Sequence, residues 1–196
     1  MARQRLIYGL DIETDTRIDG LDPGISSVVA IAISTIRGTE TLVGDEWLLL
    51  AGLEQHLASL EPGVIATWNG ALYDLPFIYD RAAFYGIRLG LRLEASHRVS
   101  LGKGLVGHQH AYRASWHGHA HVDLCRMYQH SERPAPACNL AQEALHAKAT
   151  RDAELARALA SRRWNSVISF IDQTPSAIAP PVNHDKRVAA ITQQAS

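Results

Sequence analysis

Two carboxylates, Asp11 and Glu13, interrupt the end of a strongly apolar stretch near the start of the chain. Residues 6–14 read Leu-Ile-Tyr-Gly-Leu-Asp-Ile-Glu-Thr, a pattern typical of a strand buried on both faces. At positions i and i+2 of a strand, both carboxylates project from the same face, roughly 7 Å apart along the chain. Such a pair is unfavourable at the edge of a core unless a cation compensates its charge, and its oxygens suit Mg²⁺ or Mn²⁺. The alternative is that the strand ends here and both acids face water.

A second informative stretch, residues 66–78, reads Ala-Thr-Trp-Asn-Gly-Ala-Leu-Tyr-Asp-Leu-Pro-Phe-Ile. Its carboxylate, Asp74, is another candidate metal ligand. The alternative for this residue is a helix N-cap, because Pro follows two residues later and suits a first helical turn. The aromatic residues Trp68, Tyr73 and Phe77 could stack on a terminal base, although at least one of them belongs in the core.

The two stretches together resemble the DEDD superfamily of 3′–5′ exonucleases. The nearest likeness is to the proofreading-type exonuclease domains of family-B DNA polymerases and their free-standing relatives. The resemblance rests on Asp-Ile-Glu-Thr at 11–14, Trp-Asn-Gly-x-x-Tyr-Asp-x-Pro-Phe-Ile at 68–78 and His-Val-Asp-Leu at 121–124. It extends over about residues 5–175 and implies an α/β, ribonuclease-H-like fold, with a mixed sheet of about five strands flanked by helices.

The resemblance also implies two-metal phosphodiester hydrolysis with Mg²⁺ or Mn²⁺. By position in the motifs, Asp11, Glu13 and Asp74 would be catalytic metal ligands. The implied substrate is the 3′ end of single-stranded DNA or RNA, and no residue is an identifiable reader of the 2′-hydroxyl group. The candidate substrate-binding residues are Thr14, Trp68, Asn69 and Tyr73.

The last motif of these exonucleases is degenerate in this chain. Relatives carry Tyr-x-x-x-Asp or His-x-x-x-x-Asp on a final helix. When residues 167–174 are aligned on their apolar positions, Phe170 takes the Tyr position and Thr174 the Asp position. Phe cannot hydrogen-bond water and Thr is a poor metal ligand. Asp172 is the candidate fourth carboxylate, but on a regular helix it points about 200° away from Thr174, so it requires a shifted or distorted helix.

Two other acids are weaker candidates for the fourth position. His146 and Asp152 lie on a long helix with five residues between them, which places their side chains on different helix faces; the alternative for both is an ordinary helix surface. Asp123 lies on the last predicted strand and could be near the site, but strand position alone does not make it a ligand. Without the fourth carboxylate, the second metal ion would bind less tightly and hydrolysis would be slower. The rival function is therefore a catalytically inactive exonuclease fold that binds nucleic acid or a protein partner.

The segment between residues 88 and 121 is rich in histidine and basic residues. Alternating histidines on one strand face could bind Zn²⁺, or they could form a polar face toward solvent. The histidines are His108, His110, His117, His119 and His121. The basic residues could contact phosphates next to the site or be ordinary surface charge. They are Arg88, Arg92, Arg98, Lys103 and Arg113.

The hydrophobic pattern predicts an antiparallel meander followed by alternating helices and strands. The expected strands are 6–14, 28–36, 41–50, 64–68 and 121–124; the expected helices are 53–60, 75–85, 139–160 and 164–172. Residues 90–120 are expected to hold a loop or hairpin, and residues 131–137 a connector.

Composition sets broad limits on the class of protein. A chain of 196 residues with 46% hydrophobic and 20% charged residues suggests one domain, assigned to residues 1–175, with a C-terminal tail at 176–196. No apolar run approaches the ~20 residues that span a bilayer, so a cytoplasmic protein without membrane contact is expected. The net charge of −1 means that nucleic-acid binding would need a local basic patch or bound metal. Cys125 and Cys138 are too few for a disulfide framework or a four-cysteine zinc site.

Overall fold

The computed structural model describes residues 6–100, 105–129 and 145–172, without the side chains at 97–100, 129, 145–146, 170 and 172. The elements in these ranges are β1 (Ile7–Thr14), β2 (Val28–Thr35), β3 (Gly38–Val43), α1 (Glu46–Ser59), β4 (Val64–Thr67), α2 (Asp74–Phe84), β5 (Leu91–Ser100), β6 (His110–Trp116), β7 (His119–Asp123), α3 (Leu124–Gln129), α4 (Leu145–Arg162) and α5 (Trp164–Asp172). The predicted tail at 176–196, the connector at 131–137 and Cys138 lie outside the described residues. Within those ranges, no helix is long and apolar enough to span a membrane.

The strands form one mixed sheet in the order β3-β2-β1-β4-β7-β6-β5. The first three strands are an antiparallel meander, β4 runs parallel to both β1 and β7, and β5–β7 are again antiparallel. The predicted α/β class with a mixed sheet is confirmed. The described sheet has seven strands rather than about five, because residues 90–120 supply the hairpin β5–β6.

Helices cover both faces of the sheet, and the alternation of side chains along β1 divides its residues between them. Leu10 and Ile12 face the main core, which α1 and α2 close. Gly9, Asp11 and Glu13 point to the opposite face, which α4 covers. There a Cβ atom on Gly9 would lie 1.7 Å from the carbonyl oxygen of Ala153, so this glycine allows the α4 backbone to rest directly on β1.

The boundary between β3 and α1 differs from the prediction. The expected strand 41–50 ends at Val43, and α1 begins at Glu46 because the Asp45 side chain caps it by accepting the N–H of Leu48. The apolar run at 47–50 therefore belongs to a helix. Leu49 and Leu50 are buried on the core side of this helix, whereas Leu48 is exposed.

The last part of the fold agrees with the predicted helices and adds a short one. The expected strand 121–124 is β7, which begins two residues earlier, and α3 follows it directly. The start of the predicted helix 139–160 lies outside the described residues, and the described part is α4. The predicted final helix, 164–172, is α5. These helices cover the β4 and β7 part of the sheet through a second core cluster.

Candidate active site

Three carboxylates from β1 and α4 meet at the carboxyl end of β1. Asp11, Glu13 and Asp152 each offer one oxygen, and these oxygens lie within 4.8 Å of one another. Asp11 and Glu13 share a face, as predicted from their i, i+2 spacing. Asp152 reaches them because it precedes Ala153, the residue that rests on Gly9. Among the described residues, no other group of three metal-ligating side chains of the His, Cys, Asp and Glu types is this close.

Asp74 reaches the same cavity from a different element. It is the first residue of α2, and with Asp11 and Asp152 it lines a cavity of about 360 Å³. The N-cap alternative for Asp74 is wrong, because the N-cap position is Tyr73 and no side chain caps this helix. The structure thus brings Asp74 to the cluster, although its carboxylate is not one of the three closest.

The buried carboxylates of Asp11 and Asp74 would be stabilised by a bound cation. Burial, with the charges of Asp74, Glu13 and Asp152, raises the pKa of Asp11 to about 9. Burial and then the charge of Asp123 raise the pKa of Asp74 to about 8. Among the described residues, neither Asp11 Oδ2 nor Asp74 Oδ2 has a hydrogen-bond partner. A hard divalent cation would satisfy these oxygens, so the residues present fit Mg²⁺ or Mn²⁺.

A lysine, Lys148, also reaches into this acidic cluster. Its Nζ forms an ion pair with Glu13 and lies 3.5 Å from Asp152 Oδ2. Burial opposes its charge, but the hydrogen bond and charge of Glu13, with Asp11 and Asp152, raise the pKa of Lys148 above its usual value. Burial raises the pKa of Glu13 despite this partner.

Lys148 was not predicted from the sequence, although a signal was present. Lys148-x-x-x-Asp152 has the same spacing as the Tyr-x-x-x-Asp motif of the resembling exonucleases. On α4 this i, i+4 spacing places both side chains on one face, toward Glu13. The residue types expected at the first position of the motif were tyrosine and histidine, and a lysine did not match them.

The residues proposed for the degenerate last motif lie elsewhere or are not described. Asp172 is the last residue of α5, but the structure does not describe its side chain or that of Phe170. Thr174 lies outside the described residues. The neighbouring Ile171 lines a different cavity from the one that holds Asp11. The role expected for Asp172 as the fourth carboxylate is therefore not tested by the described side chains. Asp152 is the further carboxylate that the described structure brings to the cluster; the side chain of its predicted companion, His146, is not described.

Three of the four candidate substrate-binding residues lie at the cavity. Trp68, Asn69 and Tyr73 line its wall beside Asp11 and Asp74. The fourth, Thr14, donates its hydroxyl hydrogen to the carbonyl oxygen of Gly20 at 2.8 Å, which holds the loop that follows β1. Phe77 is the aromatic residue that belongs to the core, where it is fully buried.

Asp123 has a positioning role that the sequence left open. Its Oδ1 accepts the N–H of Asn69 at 3.1 Å and its Oδ2 accepts the N–H of Ala71 at 3.1 Å. Asn69 itself has a left-handed backbone, with φ of 67°. The buried carboxylate of Asp123 thus shapes the turn that leads into α2 and places Asp74.

The described histidines contact different residues. His119 accepts the N–H of Gly63 at 3.0 Å and donates to the carbonyl oxygen of Leu57 at 3.1 Å. His117 lies in a turn with φ of 47°, so it does not share a strand face with the others. His108 lies 2.8 Å from a carboxylate oxygen of Asp80. Among the described residues the zinc alternative has no site.

Two of the five basic residues of this segment lie together. Arg92 and Arg113 line a cavity of about 280 Å³ with Arg126 and Asp123, next to the turn that Asp123 shapes. Arg98 has no described side chain, and Lys103 lies outside the described residues. The prediction that some of these residues contact phosphate is not tested by this arrangement.

Comparison with known proteins identifies the family. The profile of the DNA polymerase family B exonuclease domain matches residues 34–140, more than half of the chain. The chain belongs to this family. Because the match covers neither β1 nor α4, the placement of Asp11, Glu13 and Asp152 in this exonuclease domain rests on the structure.

Individual relatives agree with the family assignment. The chain is 47% identical to the catalytic subunit of DNA polymerase epsilon from Schizosaccharomyces pombe over 45 residues, which is 23% of this chain and 2% of that protein. It is 27% identical to DNA polymerase 2 of Aeropyrum pernix over 122 residues, 60% of this chain and 14% of that protein. The exonuclease-domain chain thus spans a small fraction of the length of these relatives.

A solved structure shares the fold. The family B DNA polymerase of the archaeon Pyrobaculum calidifontis superimposes with a TM-score of 0.52 and 24% sequence identity, covering 65% of this chain and 16% of that one. This likeness confirms the fold class that the sequence predicted for the exonuclease domain.

Proposed function

We propose that this domain is a metal-dependent 3′–5′ exonuclease that acts on single-stranded nucleic acid ends. One observation carries the proposal: oxygens of Asp11, Glu13 and Asp152 lie within 4.8 Å of one another, beside the cavity that Asp74 lines. Buried carboxylates from segments far apart in the sequence are costly to assemble without a ligand that they bind. Membership in an exonuclease-domain family supports the reaction class.

The four carboxylates would hold the divalent metal. Metal bound there would lower the pKa of water and stabilise the negative charge that develops during an in-line displacement. To bind metal, Asp11 and Asp74 must give up the protons that their raised pKa values favour. Asp123 holds Asp74 in place through the turn at Asn69 and Ala71.

The wall of the cavity suits a single-stranded end. Trp68 and Tyr73 are half-buried in this wall, and aromatic rings are the groups on which an unpaired base stacks. Asn69 adds a polar side chain between them. Stacking accepts any base, so we expect little sequence preference.

The polarity of degradation tests this proposal. A single strand labelled at its 3′ end should release labelled mononucleotide at once in Mn²⁺ or Mg²⁺, whereas a strand labelled at its 5′ end should first give a ladder of shortened products. Equal strands of DNA and RNA in the same assay decide which substrate is preferred.

Asp15→Asn provides a matched control for Asp11→Asn. Asp15 lies four positions further along and pairs with the exposed side chain of Arg17, outside the carboxylate cluster. Asp15→Asn should retain the activity and Asp11→Asn should lose it. If the wild-type chain retains a single strand without shortening it in either ion, the domain is a binding module and not an exonuclease.

A further inference from the structure

We propose that the ammonium group of Lys148 takes the place of one of the two divalent ions, so that this site binds a single ion. The inference deepens the proposed function and rests on it. It is drawn from where the Lys148 side chain lies, from the charges around it and from the spacing of its helix.

The ammonium of Lys148 contacts two of the three carboxylates of the cluster. Glu13 and Asp152 are two of the three residues whose oxygens approach within 4.8 Å, and Lys148 contacts both. The oxygens turned toward Lys148 are thus engaged by a cation that the chain itself supplies. A divalent ion bound between Glu13 and Asp152 would have to displace this cation or lie against it.

Asp11 and Asp74 offer carboxylate oxygens that no described residue engages by a hydrogen bond. Asp11 and Asp74 are 8% and 9% exposed, and their Oδ2 atoms lack hydrogen-bond partners among the described residues. Asp11 and Asp74 line the same cavity as Trp68 and Tyr73. A single divalent ion bound to Asp11 and Asp74 would satisfy their Oδ2 atoms and leave the Lys148 contacts intact.

The net charge of the site also favours one bound divalent ion. Four ionised carboxylates carry four negative charges, of which Lys148 neutralises one. One divalent ion then leaves a single negative charge, whereas a second one would turn the buried cluster positive beside a fixed ammonium. Like charges at such distances are strongly unfavourable in a partly buried site.

Lys148 stands on α4 where the exonuclease motif has a tyrosine. Lys148 and Asp152 have the spacing of the Tyr-x-x-x-Asp motif, so Lys148 occupies the position of the tyrosine. A tyrosine hydroxyl both donates and accepts hydrogen bonds, whereas an ammonium only donates. Lys148 therefore contributes positive charge at this position and not a group that accepts hydrogen bonds from water.

Counting bound ions by calorimetric titration with Mn²⁺ tests the inference. The wild-type chain should bind one Mn²⁺ per chain. Lys148→Met keeps the length and apolar stem of the side chain but removes its charge, and it should bind two. Lys148→Arg keeps the charge and should bind one. Two ions in the wild-type chain, none in it, or one in Lys148→Met would overturn the proposal.

A spectroscopic readout covers the case in which Lys148→Met folds poorly. Lys148→Gln provides a second neutral side chain, and circular dichroism identifies which variant is folded. Two Mn²⁺ ions in one site couple magnetically, so the electron paramagnetic resonance spectrum of the folded neutral variant should show coupling that the wild-type spectrum lacks. A spectrum without coupling in a folded neutral variant contradicts the proposal.

Failure of this inference can be separated from failure of the proposed function. Exonuclease activity in a wild-type chain that binds two ions would refute the lysine inference alone. A wild-type chain that binds one ion but releases no nucleotide would refute the exonuclease function alone.

Discussion

Gly9 and Ala153 are packed so closely that a Cβ atom on Gly9 would lie 1.7 Å from the carbonyl oxygen of Ala153. The contact is with backbone, which cannot move aside as the end of a flexible side chain can. It holds α4 directly against β1, where small side chains of β2 and α4 pack beside it. Asp152 is thereby fixed next to Asp11.

Gly9→Ala should therefore weaken both the fold and the metal site. Overpacking in a core costs about 1–3 kcal/mol, and displacement of α4 should also lower the affinity for Mn²⁺. Urea unfolding and calorimetry measure the two effects. Gly52→Ala is the matched control, because its Cβ would meet only Leu42 at 3.5 Å and alanine favours helix α1. Equal stability of the two variants would contradict this packing.

Removing the charge of Asp11 should separate metal binding from folding. Asp11→Asn should abolish binding of Mn²⁺ while the metal-free chain keeps its fold and gains about 1–3 kcal/mol of stability near pH 8, because the folded wild type must keep a proton on Asp11 that the unfolded chain loses at much lower pH, and asparagine removes this cost. Calorimetry and thermal unfolding in a chelator measure these quantities. Unchanged Mn²⁺ binding would remove Asp11 from the site, and Asp15→Asn should leave binding as it is.

The identity of the fourth carboxylate can be decided by a pair of variants. Asp152→Asn should reduce Mn²⁺ affinity and nucleotide release by at least about tenfold, because it removes an oxygen from the cluster. Asp172→Asn should leave both close to wild type. The reverse result, with Asp172→Asn inactive and Asp152→Asn active, would place the last motif on α5.

Acid should destabilise the fold through His121. Burial lowers the pKa of His121 to about 3, and its ring lies 2.8 Å from the hydroxyl oxygen of Thr67. The unfolded chain takes up a proton near pH 6.5 that the folded chain does not, so this stability is present above that pH and is lost as the pH falls. Between pH 7.5 and pH 5 the loss is about 2 kcal/mol.

Urea unfolding of His121→Gln measures this loss by difference. Other titrating groups contribute equally to the wild type and the variant, so they cancel when the pH dependences are subtracted. The variant should lose about 2 kcal/mol less than the wild type over the same pH range. Identical pH dependences would show that His121 is not held neutral.

The sequence was sufficient for the parts of the site that lie in continuous motifs. Asp11 and Glu13 could be placed on one face because strand periodicity is a local property. The side chain of Asp152 depends on how α4 is rotated and how closely it approaches β1, which a contact between Gly9 and Ala153 decides. No local pattern contains that contact, and the expected motif did not allow for a lysine at position 148.

The helices and strands also divide into those that local sequence predicts and those that depend on distant contacts. The meander, α2 and α5 follow from local periodicity and turn residues. The run at 47–50 could be read as strand or helix, and the Asp45 cap decides for α1. The hairpin β5–β6 depends on pairing with β7 across the sheet, so residues 90–120 could be predicted only as a loop or hairpin.

The most direct test of the proposed site is the rate of 3′-terminal mononucleotide release measured across a Mn²⁺ titration for the wild type and Asp11→Asn. The carboxylate site predicts a wild-type rate that rises with Mn²⁺ and saturates, while Asp11→Asn stays at the rate of the metal-free reaction. A wild-type rate that does not respond to Mn²⁺, or equal rates in the two proteins, would contradict it.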